Sequence, residues 1–382
     1  MPGMKVLNSI ADLRELARRR IPRAIFDYAD RGSYDELTIE RNRRDLQAME
    51  FRQRVMRDLT STSLASTMLG EPVTMPLAIG PTGLCGLFHG NGEIHGARAA
   101  QAFGIPFCLS TMSICSIEDV RAAVQRPFWF QVYLMKDRGF SQELVERAIA
   151  ANCSALMLTV DLPIMGLRRR DAKNGLTVPP VLSLRNAIDF ATKPNWMMGV
   201  LMGKRRTFGN LTSSTRGSSA TTLAHWTASQ FNAGITWKEI DWLRALWPGK
   251  LIVKGILDAE DARVAASLNI DALVVSNHGG RQLDGAPSTI SVLPEIVSAV
   301  NGRCEVWFDG GVQSGQDMLR ALALGAQACL IGKSFLYGLA AMGQAGVTLA
   351  LNILRQELEV SMALTGCTDL KHVDPGILRQ RS

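Results

Sequence analysis

The chain has 382 residues, of which 47% are hydrophobic and 20% charged, so its composition is that of a globular protein and excludes a disordered or low-complexity chain. Its formal net charge of +7 favours anionic partners, such as a phosphate-bearing cofactor, a carboxylate substrate or an anionic membrane surface. Nucleic acid is a poor candidate partner, because the basic clusters at 18–20 and 204–206 lack interleaved aromatic residues on which bases would stack.

Residues 1–20 predict an amphipathic helix, and they lack the apolar stretch of a secretory signal peptide. The seven cysteines are widely spaced and form no C-x-x-C pair, which argues against a disulfide framework and against a zinc site. We therefore expect reduced thiols, a cytoplasmic protein and no bound metal.

A strand followed by a helix recurs along the chain. Each unit begins with a short apolar run rich in β-forming residues, which ends in a glycine or a polar residue before a helical pattern starts. The apolar runs lie at 76–81, 106–111, 128–133, 155–161, 251–255, 272–277, 306–311 and 328–333. The helical patterns include 92–104, 116–125, 141–153, 258–269 and 315–326, with Ser116, Ser141 and Asp258 as predicted N-caps.

Eight units with strands that are apolar on both faces predict an α/β fold, a closed (β/α)8 TIM barrel that forms a single domain over 1–382. An open doubly wound sheet is the alternative, but it usually has fewer strands and an early G-x-G-x-x-G turn, which this sequence lacks. The spacing of the units breaks once, between Asp161 and Leu251. A helix predicted at 235–247 leaves a long insertion after strand 4, at 162–234.

The insertion has mixed chemistry. Residues 194–210 are apolar and basic and include Trp196 and Phe208, whereas 212–222 are small and polar. An apolar, basic segment with aromatic residues is typical of a helix that lies in a membrane interface, while an active-site lid or an oligomer contact are the alternatives. A charge-free stretch at 334–354 is long enough to span a bilayer, but its glycines and polar residues favour two buried helical pieces.

Polar side chains follow the predicted strands at their carboxyl ends. In a barrel these ends converge on one mouth, and burying so many polar groups there is costly unless a ligand binds them. We therefore expect the functional site at that mouth. The polar residues in question are Gln131, Tyr133, Thr159, Asp161, Lys254, Ser276, Asn277, His278 and Asp309.

The segment SNHGGRQLDG at 276–285 carries the strongest chemical signal. His278 is a natural proton acceptor near neutral pH, and Arg281 offers a two-pronged donor for a carboxylate. Asp161, at the end of the fourth strand, would orient the imidazole and raise its basicity if it faces His278. The plain alternative is a loop before a helix with solvated side chains.

Lys254 and the last two strands indicate an anionic cofactor. Lys254 lies late in the fifth strand, where a lone buried cation is costly without an anionic partner, and a Schiff-base lysine is the competing interpretation. Glycine turns follow strands seven and eight, at 309–317 and 330–334. That is the usual phosphate position in these barrels, where backbone N–H groups and helix dipoles bind the anion.

Together these motifs resemble the FMN-dependent L-2-hydroxy acid oxidase and dehydrogenase family. FDYADRG, PTG, LST, WFQVY, TVD, LIVKG, SNHGGRQLDG, DGG and ALALGA occur in order over roughly residues 5–378. The insertion and WPGKLIVKGIL are similar to the branch of membrane-associated L-lactate and mandelate dehydrogenases. The resemblance implies FMN as cofactor and oxidation of a small L-2-hydroxy acid, L-lactate first, to the 2-keto acid. It also implies a homotetramer, peripheral on the inner face of the cell membrane, that passes electrons to a quinone or a cytochrome.

The resemblance further implies roles for the matching residues around the substrate. His278 would be the base that removes a substrate proton, Asp161 would be its partner, and Tyr133 would bond the substrate oxygen. The residues implied to hold the carboxylate or to face the substrate are Arg281, Arg168, Tyr28 and Met112.

The implied cofactor contacts follow in the same way. Lys254 would stabilise the N1/C2=O edge of the flavin. The other implied FMN contacts are Pro81, Thr82, Gly83, Ser110, Gln131 and Thr159 around the isoalloxazine ring, Asp309, Gly311, Gly332 and Lys333 at the ribityl phosphate, and Ser276.

Some positions depart from the family pattern. Gln313 follows DGGV and Lys333 follows Gly332, where relatives usually carry arginine, so we expect weaker retention of FMN. Met112 stands where oxidases tend to have an aromatic residue, which leaves the length of the substrate open. Gly83 takes the place of alanine as in dehydrogenases, which favours a quinone or cytochrome over oxygen as the acceptor.

Three other functions remain compatible with the sequence. An oxygen-using oxidase of the same fold would release hydrogen peroxide as fast as it consumes substrate. An FMN barrel of another class, such as an isomerase of isoprenoid diphosphates, would need a metal-binding carboxylate cluster that we do not find in the sequence. A non-catalytic binding barrel would stay colourless when FMN is added.

Overall fold

The computed structural model describes residues 6–176, 183–211 and 230–379. Eight parallel strands close into a barrel in chain order, so the predicted (β/α)8 barrel is confirmed and the open sheet is excluded. A short hairpin precedes the barrel, with strands β1 (Ser66–Met68) and β2 (Glu71–Val73). The barrel strands are β3 (Leu77–Thr82), β4 (Phe107–Ser110), β5 (Trp129–Val132), β6 (Ala155–Thr159), β7 (Lys250–Ile256), β8 (Ala272–Val275), β9 (Glu305–Phe308) and β10 (Ala328–Ile331).

The strands form because their residues are apolar on both faces, as a parallel barrel under a ring of helices requires. Inside the barrel, the rings of Trp129 and Trp307 stack with centroids 5.2 Å apart and planes 9° from parallel. Met68 of the hairpin belongs to the same inner cluster. The amide of Leu69 donates to the carboxylate of Glu305, the first residue of β9, at 2.9 Å. The hairpin therefore closes the amino end of the barrel, and the carboxyl ends of the strands form the mouth.

Helices cover the outside of the barrel. They are α1 (Ile10–Arg20), α2 (Arg23–Asp30), α3 (Leu37–Gln47), α4 (Cys85–Phe88), α5 (Gly92–Phe103), α6 (Ile117–Arg121), α7 (Arg138–Ala150), α8 (Arg169–Lys173), α9 (Leu184–Ala191), α10 (Pro194–Leu201), α11 (Lys238–Leu246), α12 (Ala259–Ser267), α13 (Thr289–Val300), α14 (Gly315–Ala323) and α15 (Lys333–Thr365). Two single turns of 3-10 helix, Leu370–His372 and Pro375–Ile377, follow near the end.

The predicted N-caps are correct at two of three helices. Ser116 forms a capping box with Asp119, and the side chain of Asp258 accepts from the first turn of α12. Ser141 is wrong as a cap, because α7 begins at Arg138 and Asp137 caps it by accepting from the amide of Phe140. The hydroxyl of Ser141 instead accepts from the amide of Met135 at 2.9 Å, a tertiary contact that local sequence does not reveal.

The charge-free stretch near the end lies in α15, which carries non-helical backbone at Met342 and Gly343 and so consists of two helical pieces, as predicted. Among the described residues, α15 is the one helix that is long and apolar enough to cross a membrane by length and composition. Its apolar window is 72% buried against the rest of the protein, as in the core helix of a globular fold.

The insertion between β6 and β7 contributes α8, α9 and α10, and the chain then rejoins the barrel through α11, which the sequence placed at 235–247. The polar segment predicted at 212–222 lies outside the described residues. The side chain of Asp189 accepts from the amide of Arg23 at 2.6 Å, and the indole of Trp196 donates to the carbonyl of Leu87 at 2.7 Å. These bonds attach α9 and α10 to α2 and α4.

Candidate active site at the barrel mouth

A cavity of about 780 Å³ opens at the carboxyl ends of the strands. Most of the residues predicted from sequence line it, so one site brings together groups from across the chain. The predicted residues along its wall are Tyr28, Pro81, Thr82, Gly83, Ser110, Met112, Tyr133, Arg168, Lys254, His278, Arg281, Asp309, Gly311, Gly332 and Lys333. Four other predicted residues lie directly behind that wall and contact it, namely Gln131, Thr159, Asp161 and Ser276. Asn277, also predicted at the mouth, is not part of the wall, and its side chain donates to Asn42 and to the carbonyl of Pro287.

His278 and Asp161 form a pair at the mouth. The Nδ1 atom of His278 donates to Oδ1 of Asp161 at 2.9 Å, which leaves Nε2 as the acceptor on the imidazole. His278 has a φ of +57°, a left-handed conformation. Gly255 makes room for the pair, since a Cβ at its φ of +113° would lie 2.6 Å from the Cβ of Asp161.

The prediction that Asp161 raises the basicity of His278 is confirmed, because its charge and its hydrogen bond both raise the pKa of the imidazole. Burial lowers the pKa of His278 below its ordinary value, and the opposing effect of Asp161 does not overcome it. Lys254 and Arg168 lower this pKa further. Burial tends to raise the pKa of Asp161, but His278 and Lys254 hold it below its usual range. The imidazole is therefore neutral, and the carboxylate charged, at neutral pH.

Lys254 is not the lone cation that the sequence indicated. Its ammonium lies 3.0 Å from Oδ2 of Asp309 and donates to the hydroxyl of Ser276 at 2.8 Å, and that hydroxyl donates to Asp309 at 2.6 Å. Burial tends to lower the pKa of Lys254, but Asp309 and Asp161 raise it above its ordinary value. A lysine held as an ammonium does not suit the role of a Schiff-base nucleophile.

Two guanidinium groups converge on Tyr28. The guanidinium carbons of Arg281 and Arg168 lie 4.6 Å and 5.9 Å from the centre of its ring. Arg281 donates to the backbone carbonyls of Tyr28 and Arg31, and burial together with Arg168 lowers its pKa to about 10. Neither guanidinium forms a salt bridge with a carboxylate among residues 6–176, 183–211 and 230–379. Two half-buried guanidinium groups that line one cavity favour an anion beside them, although the carboxylate of Asp171, which lines the same cavity, also acts on both.

Tyr133 stands beside these charges, and burial raises the pKa of its phenol. The neighbouring charges that act on this phenol include Asp161, Arg168 and Arg281, which places Tyr133 between the imidazole pair and the two guanidinium groups. A protonated phenol at this position donates a hydrogen bond into the cavity.

The glycine turn after β9 forms the other end of the cavity. Gly310 has a φ of +128°, and a Cβ there would lie 2.4 Å from Oγ1 of Thr289, so no larger residue fits. Arg43 of α3 also lines the cavity, and it donates to the carbonyl of Gly311 at 2.6 Å and to Asp317 at 2.7 Å. Sequence analysis missed Arg43, because it lies in an ordinary charged helix far along the chain from this turn.

Lys333, the first residue of α15, is half-buried, and no carboxylate in the part of the chain that the structure describes forms a salt bridge with its ammonium. Its ammonium donates to the backbone carbonyl of Asp30 at 3.1 Å. Burial lowers the pKa of Lys333 to about 7, and the neighbouring Arg281 contributes in the same direction. Such a group gains stability from an anionic ligand.

The comparisons with known proteins agree with this geometry. The family profile described as FMN-dependent dehydrogenase matches residues 17–380. The chain belongs to the FMN-dependent dehydrogenase family. The resemblance drawn from the sequence, the oxidoreductase class and the FMN cofactor are thereby confirmed.

Relatives of this FMN-dependent dehydrogenase match it over nearly its full length. Two proteins named L-lactate dehydrogenase, from Caulobacter sp. (strain K31) and Ectopseudomonas mendocina (strain ymp), are 45% and 44% identical to it, over 98% of this chain and 98% and 99% of theirs. The solved structure of the monotopic membrane protein (S)-mandelate dehydrogenase matches with a TM-score of 0.94 and 38% identity, covering 99% of this chain and 100% of that one. A mandelate oxidase structure matches with a TM-score of 0.83 and 37% identity, covering 98% and 99%.

The residues at the mouth fit an FMN ring. The side-chain nitrogen of Gln131 and the hydroxyl of Thr159 are buried and have no hydrogen-bond partner in the part of the chain that the structure describes. They lie on neighbouring strands, and Thr159 is the register partner of Lys254. Buried polar atoms without partners are costly, and a planar cofactor with carbonyl and nitrogen atoms along its edge would satisfy both.

Proposed function

We propose that this FMN-dependent dehydrogenase oxidises a small L-2-hydroxy acid, with L-lactate as the preferred substrate, to the 2-keto acid. The observation that carries the proposal is the arrangement of one neutral imidazole, paired with a carboxylate, beside two guanidinium groups that form no salt bridge within the described residues, in a single cavity. A base next to an anion site suits a substrate that carries its reacting hydroxyl beside a carboxylate. The naming of the relatives as L-lactate dehydrogenases supports the choice of substrate.

Arg281, Arg168 and Tyr28 bind and orient the substrate in this proposal. The two guanidinium groups hold the carboxylate, and the aromatic ring of Tyr28 keeps them in place. Fixing the carboxylate directs the α-carbon and its hydroxyl toward His278, which converts a collision into a positioned step. Tyr133 donates a hydrogen bond to the substrate oxygen.

His278 removes the proton. Its Nε2 atom is free to accept because Nδ1 donates to Asp161, and the carboxylate stabilises the imidazolium that forms. When bound, FMN supplies the two-electron acceptor for the carbon–hydrogen bond that is broken. Lys254, held by Asp309 and Ser276, presents a fixed positive charge to the pyrimidine edge of the ring.

The remaining residues would hold the cofactor. Pro81 and Thr82, the last two residues of β3, and Gly83 directly after it line one wall. Ser110 donates to Gln131 at 3.0 Å, which leaves the amide nitrogen of Gln131 for the ring, together with the hydroxyl of Thr159. The residues proposed to surround the ribityl phosphate are Gly311, Gly332, Lys333 and, in addition to those predicted from sequence, Arg43.

The purified protein tests the proposal directly. We expect a yellow protein whose visible absorbance is bleached by L-lactate in the absence of oxygen, with glycolate and L-mandelate less effective. No bleaching by any of these acids would overturn the function, while a protein that stays colourless when FMN is added would indicate a non-catalytic binding barrel.

The electron acceptor follows from Gly83 and the relatives. We propose a quinone or a cytochrome, since Gly83 matches the dehydrogenase pattern. The oxygen-using oxidase is the second candidate, supported by the similarity to the solved mandelate oxidase. Peroxide release that keeps pace with L-lactate consumption would decide for the oxidase, whereas slow peroxide release with rapid reduction of a soluble quinone would decide for the dehydrogenase.

We further propose that residues 1–382 form one barrel domain and that the protein is a homotetramer. In this proposal the insertion at 162–234 binds the protein peripherally to the inner face of the cell membrane. Apolar side chains of α9 and α10 point to solvent, and Leu184 and Met198 are 79% and 61% exposed. The solved (S)-mandelate dehydrogenase is named a monotopic membrane protein, which supports this placement. Sedimentation velocity of the detergent-free protein tests the tetramer.

The membrane contact predicts a specific loss. Replacing both Met198 and Met202 by glutamate is expected to lower partitioning onto anionic vesicles at least about tenfold, because two apolar side chains no longer enter the interface and two charges must. Co-flotation with vesicles of phosphatidylglycerol measures the loss. The matched control is Val360→Glu, at a 51% exposed site on α15 outside the insertion. Equal flotation of all three proteins would contradict the contact.

Lys333→Arg is expected to tighten FMN binding and to remove its dependence on pH. Burial and Arg281 lower the pKa of Lys333 to about 7, so the ammonium that attracts the phosphate is lost as the pH rises above that value. The dissociation constant of the parent protein for FMN is expected to rise by up to about tenfold per pH unit above pH 7. A guanidinium stays charged, so the variant is expected to change little.

Equilibrium dialysis between about pH 6 and pH 9 measures both proteins. Lys371→Arg, at an exposed lysine in the first 3-10 turn, controls for the exchange of side chains. A parent protein whose affinity for FMN is high and independent of pH would refute both the role of Lys333 and the expected weak retention.

A further inference from the structure

Phe231 stands where the insertion rejoins the barrel, and its backbone is fixed there. It forms an isolated antiparallel bridge with Met135, just beyond β5. Its neighbour Gln230 adds two bonds, since its carbonyl accepts from the amide of Lys136 at 2.9 Å and its side-chain oxygen accepts from the amide of Asp137 at 3.1 Å. Residues 230–231 are therefore bonded to the segment that follows β5, and these bonds restrict the movement of the Phe231 side chain.

The ring of Phe231 lines the cavity and contacts Tyr133. The two rings meet edge to face, with centroids 5.9 Å apart and planes at 72°. Such a pair adds stability beyond the area that it buries. Tyr133 in turn lies among the charges of Asp161, Arg168 and Arg281, so Phe231 stands next to the reacting groups.

The polar groups fix the direction in which a substrate presents its side chain. The carboxylate points to the two guanidinium groups and the hydroxyl to His278, so the substituent on the α-carbon has to point toward the apolar part of the wall. Several apolar side chains line the cavity, among them Phe231, Met112, Leu162 and Met165, and the ring of Phe231 contacts Tyr133 directly. Of these, Met112 and Met165 are flexible and adapt to different shapes, whereas Phe231 carries a stiff ring on a backbone that is bonded to the segment after β5.

We propose that Phe231 is the residue that sets the size limit for the substrate's side chain, and that it restricts this enzyme to short aliphatic 2-hydroxy acids. This proposal rests on the proposed function. The methyl group of L-lactate fits beside the ring of Phe231. A longer chain or a phenyl ring would collide with this ring, whose displacement is limited by the bridge to Met135. Overpacking of this kind is costly because rigid neighbours do not relax.

The test is Phe231→Ala, compared over a series of L-2-hydroxy acids with two, three, four and six carbons and L-mandelate. We expect the ratio of kcat/KM for the six-carbon acid to that for L-lactate to rise at least about tenfold, which is the lower end of the discrimination that one methylene produces in an apolar pocket. L-Lactate itself is expected to lose affinity, seen as a higher KM, because its methyl group loses a contact.

Phe208→Ala is the matched control. Phe208 lies in the same insertion and lines the same cavity, but its loop is bonded to the loop after β4, through the amide of Gly209 and the carbonyl of Ser113 at 3.1 Å. We expect its substrate ratio to stay within about twofold of the parent. An equal rise in both variants would attribute the effect to a loosened insertion and would overturn the role of Phe231.

Binding of the 2-keto acids gives a readout without turnover. Pyruvate and 2-oxohexanoate are titrated against the oxidised protein, and the shift of its visible spectrum reports their dissociation constants. Phe231→Ala is expected to gain at least about tenfold in the ratio of these constants in favour of 2-oxohexanoate. Phe231→Leu is the second variant if the alanine protein loses FMN, and an intermediate ratio is expected for it.

The outcomes separate the two proposals. A parent enzyme that no 2-hydroxy acid reduces overturns the proposed function itself. A parent enzyme that oxidises L-lactate, with an unchanged substrate ratio in Phe231→Ala and Phe231→Leu, overturns only the assignment of Phe231.

Discussion

Replacing His278 by alanine is expected to lower turnover with L-lactate by at least about two orders of magnitude, the usual scale for the loss of an acid–base group. The imidazole is the one group at the mouth, among the described residues, that combines a free ring nitrogen with an acid partner and a neutral state at neutral pH. Anaerobic stopped-flow absorbance after mixing with L-lactate measures the loss.

His372→Ala is the control for this variant. His372 also lies beside an aspartate, with Nδ1 3.5 Å from Asp369. Its side chain is 82% exposed, however, and it is not among the residues that line the cavity. We expect parent-like turnover from it. Near-normal turnover of His278→Ala, with FMN still bound, would remove the base from the proposed mechanism.

The dependence of the reaction on pH follows from the same histidine. Because burial lowers the pKa of His278, the base is neutral at and above neutral pH, and kcat/KM falls only as the pH drops below the ordinary histidine value and the imidazolium forms. Asp161 favours the charged imidazole, so Asp161→Asn is expected to move the midpoint to still lower pH.

Arg281→Met is expected to reduce kcat/KM for L-lactate by roughly two to three orders of magnitude. Removing one partner of a buried, hydrogen-bonded charge pair costs about 2–5 kcal/mol, and each 1.4 kcal/mol is a factor of ten. Arg281→Lys is expected to recover only part of the loss, because an ammonium restores the charge without the two-pronged geometry. Steady-state kinetics with a soluble dye as acceptor measures both variants.

A loss of folding stability in Arg281→Met has to be separated from a loss of substrate binding, because Arg281 also donates to the carbonyls of Tyr28 and Arg31. Oxalate, a carboxylate that does not react, is titrated against each variant, and the thermal melting temperature is recorded. Arg169→Met is the control, because Arg169 is 49% exposed and pairs with Asp35. Parent-like oxalate affinity in Arg281→Met would contradict the carboxylate site.

The barrel could be predicted from the sequence because its signals are local. An apolar run followed by a helix period appears at each strand, and the polar residues at strand ends, such as Tyr133 and His278, need only the rule that parallel strand ends converge. The strand bounds observed for β5 and β6 accordingly lie within the predicted runs.

The parts that were missed depend on distant contacts. The salt bridge of Lys254 with Asp309 joins β7 to the end of β9, and Arg43 reaches the turn after β9 from the third helix. Phe231 lies in a segment without strand periodicity and joins the wall only through a bridge to Met135. The net lowering of the pKa of His278 was also missed, because the cost of burial depends on the whole cavity, whereas the effect of Asp161, which was predicted correctly, follows from one pair.

The hairpin at the amino end of the barrel has a kinetic consequence. With Met68 in the inner cluster and the stacked indoles of Trp129 and Trp307 above it, the described interior beneath Lys254 is packed solid. Ligands cannot pass through that end of the barrel. The hydroxy acid, the keto acid and the oxidant therefore all enter or leave through the mouth. The keto acid has to leave before the acceptor enters. Double-reciprocal plots of the rate at several acceptor concentrations are therefore expected to be parallel.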